Sequence, residues 1–254
     1  SGGSNEGFTV DISLPVTGGV TDGQGEDISF TASGNSLEGH WTGFDDGLSG
    51  LSYYHAAAGT NIGSWDVVPW TSVSLDTQVV FNGLSLVNGQ DYYLSVKAYD
   101  RAQNESQTAS SNGVVSDQTG PEIGYVSDGI SEDIEWVISS SELEASWNSF
   151  NDPLSGIKNY EYAVGDSPEG VNILSWTNIG LETQVLIQGL PLSHGSQYYI
   201  GVRGVDNVDN IGPSSFSNGL TVDLVLPDVT GVIESETAGV VGSNQNDTLD
   251  MDYM

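Results

Sequence analysis

The sequence predicts an all-β chain made of tandem two-sheet sandwiches. Three observations carry that expectation. Landmark residues recur at one interval of 106 positions, apolar and polar residues alternate in short runs, and Asn-Gly or Asp-Gly pairs stand between the runs. Alternation with a period of two puts one face of a strand on a core and the other in water. Gly, Asn and Asp tolerate the backbone angles that tight turns require.

The interval pairs Trp41 with Trp147, Pro15 with Pro121, Gly50 with Gly156, Trp70 with Trp176, Gly83 with Gly189, Tyr92 with Tyr198, Asp100 with Asp206, Asn104 with Asn210 and Asp117 with Asp223. No insertion separates these anchors. They define two full copies, 12–117 and 118–223. Gly7 and Asp11 match Gly113 and Asp117, so 1–11 is expected to be the last strand of a preceding repeat. Pro227 repeats Pro121, so 224–254 is expected to be the truncated start of a third. A period near 100 residues exceeds the roughly 20–50 of solenoid units and has the size of an autonomous domain.

Within a copy the strands read in order. Leu37, Gly39 and Trp41 alternate with polar neighbours, as do Leu143, Ala145 and Trp147; Val79 and Phe81 follow. Tyr92, Leu94, Val96 and Ala98 then face inward, matched by Tyr198, Ile200, Val202 and Gly204. Asp46-Gly47, Asn82-Gly83, Asn88-Gly89 and Asn112-Gly113 mark the turns. About seven short strands in some 100 residues make a two-sheet sandwich, and no long segment has a helical period.

Composition narrows the function. The 254 residues hold 35 acidic and 4 basic side chains, a net charge of −31. Such a surface repels nucleic acid and anionic membranes and attracts divalent cations. With no cysteine, disulfides, thiol catalysis and Cys-based zinc sites are excluded. No apolar run is long enough to span a bilayer, so no membrane insertion of this segment is expected.

The run Gly83-Leu84-Ser85-Leu86-Val87-Asn88-Gly89-Gln90-Asp91-Tyr92 and its partner Gly189 to Tyr198 place a Tyr six residues after a Leu, across a Gly turn. With the early-strand Trp41 and Trp147, this resembles the fibronectin type III family. The resemblance implies tandem seven-stranded immunoglobulin-like sandwiches, with Trp41, Trp147, Tyr92 and Tyr198 in structural roles and each Tyr forming a tyrosine corner. The segment from Asp45 to Thr71 is long for the family and looks like a variant common in bacterial surface proteins. The resemblance implies an extracellular or cell-surface location and neighbouring repeats of the same chain as partners. No Arg-Gly-Asp tripeptide occurs, so an animal-matrix role does not carry over.

Calcium is the sharpest site hypothesis. In this topology the second–third and sixth–seventh strand loops share one pole, which also receives the preceding linker. That brings Asp11, Asp45, Asp46, Asp100 and Asn104 together in copy one. Copy two offers Asp117, Asn151, Asp152, Asp206, Asp209 and Asn210. Calcium takes six to eight oxygen ligands, and carboxylates and amides suit it. The competing reading is that Asp and Asn cap their own turns. A second acidic cluster, Asp22 to Asp27 with Asp128 to Asp133, reads as a solvated turn at the opposite pole. Tyr53, Tyr54, Trp65 and Tyr99 form a candidate ligand-binding face for surface glycan or protein; strand packing is the alternative. His40, His55 and His194 do not repeat between copies, and nothing points to an enzyme. The expected function is a structural or adhesive extracellular stalk. The alternative is a ligand- or carbohydrate-binding accessory module of a secreted multidomain enzyme.

Overall fold

A computed structural model describes residues 7–227. Every regular element among them is a β-strand, and no helix is long and apolar enough to cross a membrane. The first copy contains β1 (Gly19–Asp22), β2 (Phe30–Thr31), β3 (Ser36–Thr42), β4 (Leu51–Gly59), β5 (Val68–Ser72), β6 (Gln78–Asn82), β7 (Asp91–Asp100), β8 (Ala109–Ser110) and β9 (Val114–Ser116). The second repeats the series as β10 (Tyr125–Asp128), β11 (Trp136–Val137), β12 (Glu142–Asn148), β13 (Ile157–Gly165), β14 (Leu174–Gly180), β15 (Gln184–Gln188), β16 (Gln197–Asp206), β17 (Ser215–Phe216) and β18 (Leu220–Val222).

In each copy a three-stranded sheet, β1-β3-β6 or β10-β12-β15, faces a larger one. The larger sheet runs β2-β9-β7-β4-β5 in the first copy and β11-β18-β16-β13-β14 in the second, with β8 and β17 beside the long central strand. The seven expected strands become nine segments because two of them break. The first strand ends at β1, crosses between the sheets, and resumes as β2, parallel to β9. The last strand breaks at Ser111-Asn112-Gly113, where Gly113 takes φ +102° and packs under Tyr93.

The inward alternation holds. Leu37, Trp41, Leu94, Val96 and Ala98 are buried in one core, and Leu143, Ala145, Trp147, Ile200 and Val202 in a separate one. Trp41 meets Tyr54 edge-on at 5.6 Å, and Trp147 meets Tyr160 at 5.9 Å. The tyrosine corner forms twice: the Val87 N–H donates to Tyr92 Oη (2.8 Å) and the Ser193 N–H to Tyr198 Oη (3.0 Å).

Residues 7–11 form no strand. A strand needs a neighbour to complete its ladder, and Phe8, Val10 and Ile12 stand exposed. The expected third copy lies almost wholly in 228–254, outside the described residues.

Candidate functional site

The linker between the sandwiches is held from both sides. Asp117 N–H donates to Thr31 O (2.8 Å) in the first sandwich. The Gln118 side chain turns back to the same sandwich, donating to Leu86 O (3.0 Å) and Ser116 Oγ (2.8 Å), while its N–H donates to Asn88 Oδ1 (2.7 Å). Asp117 meanwhile reaches forward. Its Oδ2 accepts from Ser155 N–H (3.1 Å) and its carbonyl from Asn210 Nδ2 (2.9 Å), both in the second sandwich. Two consecutive residues thus grip opposite modules. His194 repeats the role of Asn88 at the far end of the second copy, accepting from Leu224 N–H at 3.1 Å.

Beyond the linker the backbones close up. A Cβ on Gly120 would lie 2.5 Å from Gly212 N, and one on Gly212 would lie 2.2 Å from Pro121 O. Only glycine permits such an approach.

This pole collects the carboxylates. Oxygens of Asp117, Asp152 and Asp206 lie within 4.8 Å of one another, as do those of Asp11, Asp46 and Asp100. Asp152 sits within the loop between β12 and β13, where its Oδ1 accepts from Leu154 N–H (3.1 Å) and Gly156 N–H (2.8 Å). Asp46 repeats this, accepting from Ser49 and Gly50 N–H at 2.8 and 2.7 Å. Asp206 closes β16 and shapes the following turn through Val208 and Asn210 N–H. Asn210 Nδ2 also donates to Asp206 Oδ2 (2.7 Å), and Asn104 Nδ2 to Asp100 Oδ2 (2.7 Å) and Asp11 O (3.3 Å). Asp100, Asp117 and Asp206 are fully buried. Hydrogen bonds from Ser13 and Ser49 hold the Asp11 carboxyl below its ordinary range.

Three sequence candidates stay outside these clusters. Asp45 and its counterpart Asn151 are exposed and engage through their backbones, which pair with Val16 and Glu122. Asp209 sits at the tip of the turn with φ +68°, a conformation Asp tolerates. Its side chain points away to Lys158 Nζ (2.5 Å) and is largely exposed.

The donor set is all oxygen, with no imidazole or thiolate, which suits a hard cation. Two oxygens that each lie about 2.4 Å from one calcium are at most about 4.8 Å apart. Like charges about 5 Å apart repel by roughly 3 kcal/mol at an effective dielectric constant near 20. Backbone N–H groups offset part of this, and a divalent ion would offset the rest.

The opposite pole differs from its sequence reading. Asp22 and Asp128 are fully buried, not solvated. Each follows an inward Val, Val20 or Val126, by two residues, so strand parity turns the carboxyl inward; that parity was the overlooked signal. Asp22 Oδ2 accepts from Gly113 N–H (3.1 Å) and Asp128 Oδ2 from Gly219 N–H (3.0 Å), tying the first strand to the break in the last. Each Oδ1 is buried without a hydrogen-bond partner. Desolvation pushes both carboxyls up to about 6, against hydrogen bonds from Ser111 or Ser217. Glu26, Asp27, Glu132 and Asp133 are the exposed members of the cluster.

The aromatic candidates divide. Tyr54 is a core residue, packed against Trp41 and Phe44 because it faces inward on β4. Tyr53 and Tyr99 are cross-strand partners stacked 4.7 Å apart at 13°, with His55 against both rings. Tyr99 also donates to Glu105, whose carboxylate pairs with Lys97 at 2.6 Å. Trp65 is exposed in the loop between β4 and β5.

No protein-family model matches the chain, and no curated protein sequence matches it. Among solved structures, it is similar to the FN1–FN3 domains of chicken CNTN1, at 18% identity over 83% of this chain and 67% of that one, with a TM-score of 0.39. Fibronectin(III)-like modules of Clostridium thermocellum CbhA give 14% identity over 80% and 94% of the two chains, with a TM-score of 0.39. Domains A168–A170 of titin give 15% over 82% and 68%, with a TM-score of 0.48. The strand order, the buried early Trp and the doubled tyrosine corner make the described fold a tandem pair of fibronectin type III-like sandwiches.

Proposed function

We propose that the chain is a non-catalytic spacer segment of an extracellular, cell-surface protein, and that calcium completes the joint at the head of each sandwich. The observation that carries this reading is the linker. Asp117 is anchored by its N–H to the module before it and offers its carboxylate to the pole of the module after it, beside Asp152 and Asp206. Asp11, Asp46 and Asp100 repeat the arrangement. A cation bridging linker, second–third loop and sixth–seventh loop would remove the repulsion among the carboxylates and restrict rotation between modules.

Thermal melts in excess calcium and in excess chelator test the ion. An ion binding only the folded state, at 100-fold above its Kd, contributes about 2.7 kcal/mol, or about 10 °C or more in Tm for a module of this size. Asp152→Asn is expected to remove that shift for the second sandwich and leave the first responsive. Equal midpoints with and without calcium remove the ion from the reading. Small-angle scattering tests the spacer itself. Asp117→Asn is expected to broaden the distribution of distances between modules, and an equally broad distribution in the unmodified chain refutes a defined joint.

A further inference from the structure

The second sandwich carries a cleft on its larger sheet. Glu135, Trp136, Gln197, Asn218, Gly219 and Thr221 line about 240 Å³ of space on the outer side of the larger sheet. The register builds it. Trp136 is the cross-strand partner of Thr221, and Thr221 of Gln197, so the three form one row across β11, β18 and β16. Their neighbours Val137, Leu220, Val222 and Tyr198 point into the core, which turns the row outward. Trp136 is 62% exposed on an edge strand. Gly219 lets the Tyr199 ring pack directly on its backbone, and the Tyr199 hydroxyl donates to Gln197 Oε1 (2.8 Å) and sets that amide. Asn218 Nδ2 donates to Asp133 Oδ2 (3.2 Å), which holds the second amide at the rim.

We propose that this cleft is a saccharide subsite, taking one ring of a neutral glycan against Trp136 with the amides and Thr221 meeting its hydroxyls. A sugar ring offers a flat apolar C–H face and a polar rim, and an indole flanked by amide, carboxylate and hydroxyl groups complements both. The width fits one ring: adjacent strands lie about 4.8 Å apart, so Trp136 and Gln197, two strands apart, stand roughly 10 Å apart. The volume is below the roughly 300–1,000 Å³ that encloses a drug-sized ligand, so one residue of a longer chain seats there while the rest lies along the surface. Charge selects the class. Glu135 in the lining and a net charge of −31 repel uronic and sulfated sugars. In the first sandwich Ser29, Phe30, Asp91 and Val115 replace Glu135, Trp136, Gln197 and Thr221, while Asn112 matches Asn218. The exposed indole, the Gln amide and the Thr hydroxyl are therefore absent there, an acid takes the amide's place, and Phe30 is less exposed than Trp136, so the full set belongs to the second module.

The test is calorimetric titration of the full chain with a panel of neutral hexasaccharides, gluco-, manno- and galacto-configured in both linkages, and with oligogalacturonate. At least one neutral member is expected to bind and oligogalacturonate is not. Trp136→Ala is expected to weaken binding at least tenfold with an unchanged melting curve, since the ring supports no core. Gln197→Ala is expected to weaken binding less, and Trp65→Ala to leave it unchanged. Absence of binding by every neutral member overturns the proposal. So does binding that survives Trp136→Ala, or that Trp65→Ala abolishes. Calcium dependence of the joint is read independently, so either result stands without the other.

Discussion

At the pole that receives the linker, the two sandwiches correspond residue for residue: Asp11 with Asp117, Asp46 with Asp152, Asp100 with Asp206, Asn104 with Asn210. On the outer face of the larger sheet they part. The first carries Tyr53, His55 and Tyr99 in one stack, where the second has Asn159, Glu161 and Val205. One feature persists in altered form. Lys97 lies over Trp70 at 4.8 Å and pairs with Glu105, while Arg203 lies over Trp176 at 4.3 Å and pairs with Glu161. The acid comes from the loop after the long strand in one copy and from the neighbouring strand in the other. A joint must fit the same kind of neighbour each time, so its carboxylate geometry repeats even where the backbone approach at Gly120 and Gly212 does not. A solvent face needs only its charges paired, and it can diverge toward separate contacts such as the Trp136 cleft.

Perturbing the cores gives the largest expected effect. Trp41→Ala and Trp147→Ala each empty the centre of one sandwich, and truncating a buried Trp costs about 3–5 kcal/mol. The cores share no residue, so each variant is expected to lower the unfolding transition of its own module and leave the other in place, as read by calorimetry. Loss of both transitions together would make the pair one cooperative unit.

The buried carboxyls come next. A folded pKa of about 6 against an ordinary value of 3.8 means that the native state binds more protons than the unfolded state between those values. Stability then falls as pH rises through that window, and the carboxylate is fully penalised above pH 6. Two pKa units correspond to about 3 kcal/mol per sandwich. The carboxyls of Asp11, Asp66 and Glu105, held low by hydrogen bonds, act oppositely and lose their contribution in more acid solution. Urea unfolding from pH 4 to 7 is expected to show a steeper decline in the unmodified chain than in Asp22→Asn/Asp128→Asn. Parallel pH profiles would show that these groups stay ionised in the fold.

The smallest effect probes how far the joints agree. Gly212→Ala forces a methyl against Pro121 O at 2.2 Å and is expected to cost about 1–3 kcal/mol, the usual range for overpacking. The matching position in the first copy is Ser106, which carries a side chain already. Ser106→Ala removes its hydrogen bond to Ala98 N–H instead and is expected to cost about 1 kcal/mol. Equal losses in denaturant melts would mean that the close approach at Gly212 relaxes freely.

Much of the linker pole was legible from spacing, because a fixed interval carries loops as faithfully as strands. Asp11, Asp46 and Asp100 could be placed together from topology. Asp45 and Asp209 could not be told from them, since adjacent residues in a loop share composition and differ only in direction. Tyr54 and Asp22 were misplaced for a related reason. An aromatic beside an aromatic, or an Asp beside a turn, reads by type as exposed until strand parity is counted outward from a neighbour such as Val20. Gln118 and Trp136 carried no signal of their own, because each acts through a partner distant in the chain.

Two sandwiches and their inward residues follow from the order of side chains alone, since period, turn chemistry and interval are quantities that survive without coordinates; the tyrosine corners followed from the family resemblance. Which oxygens converge, which carboxyl loses its water and which ring remains uncovered were decided only when the sheets closed. Those properties depend on distances between strands far apart in sequence, and each is set by packing that no single segment contains.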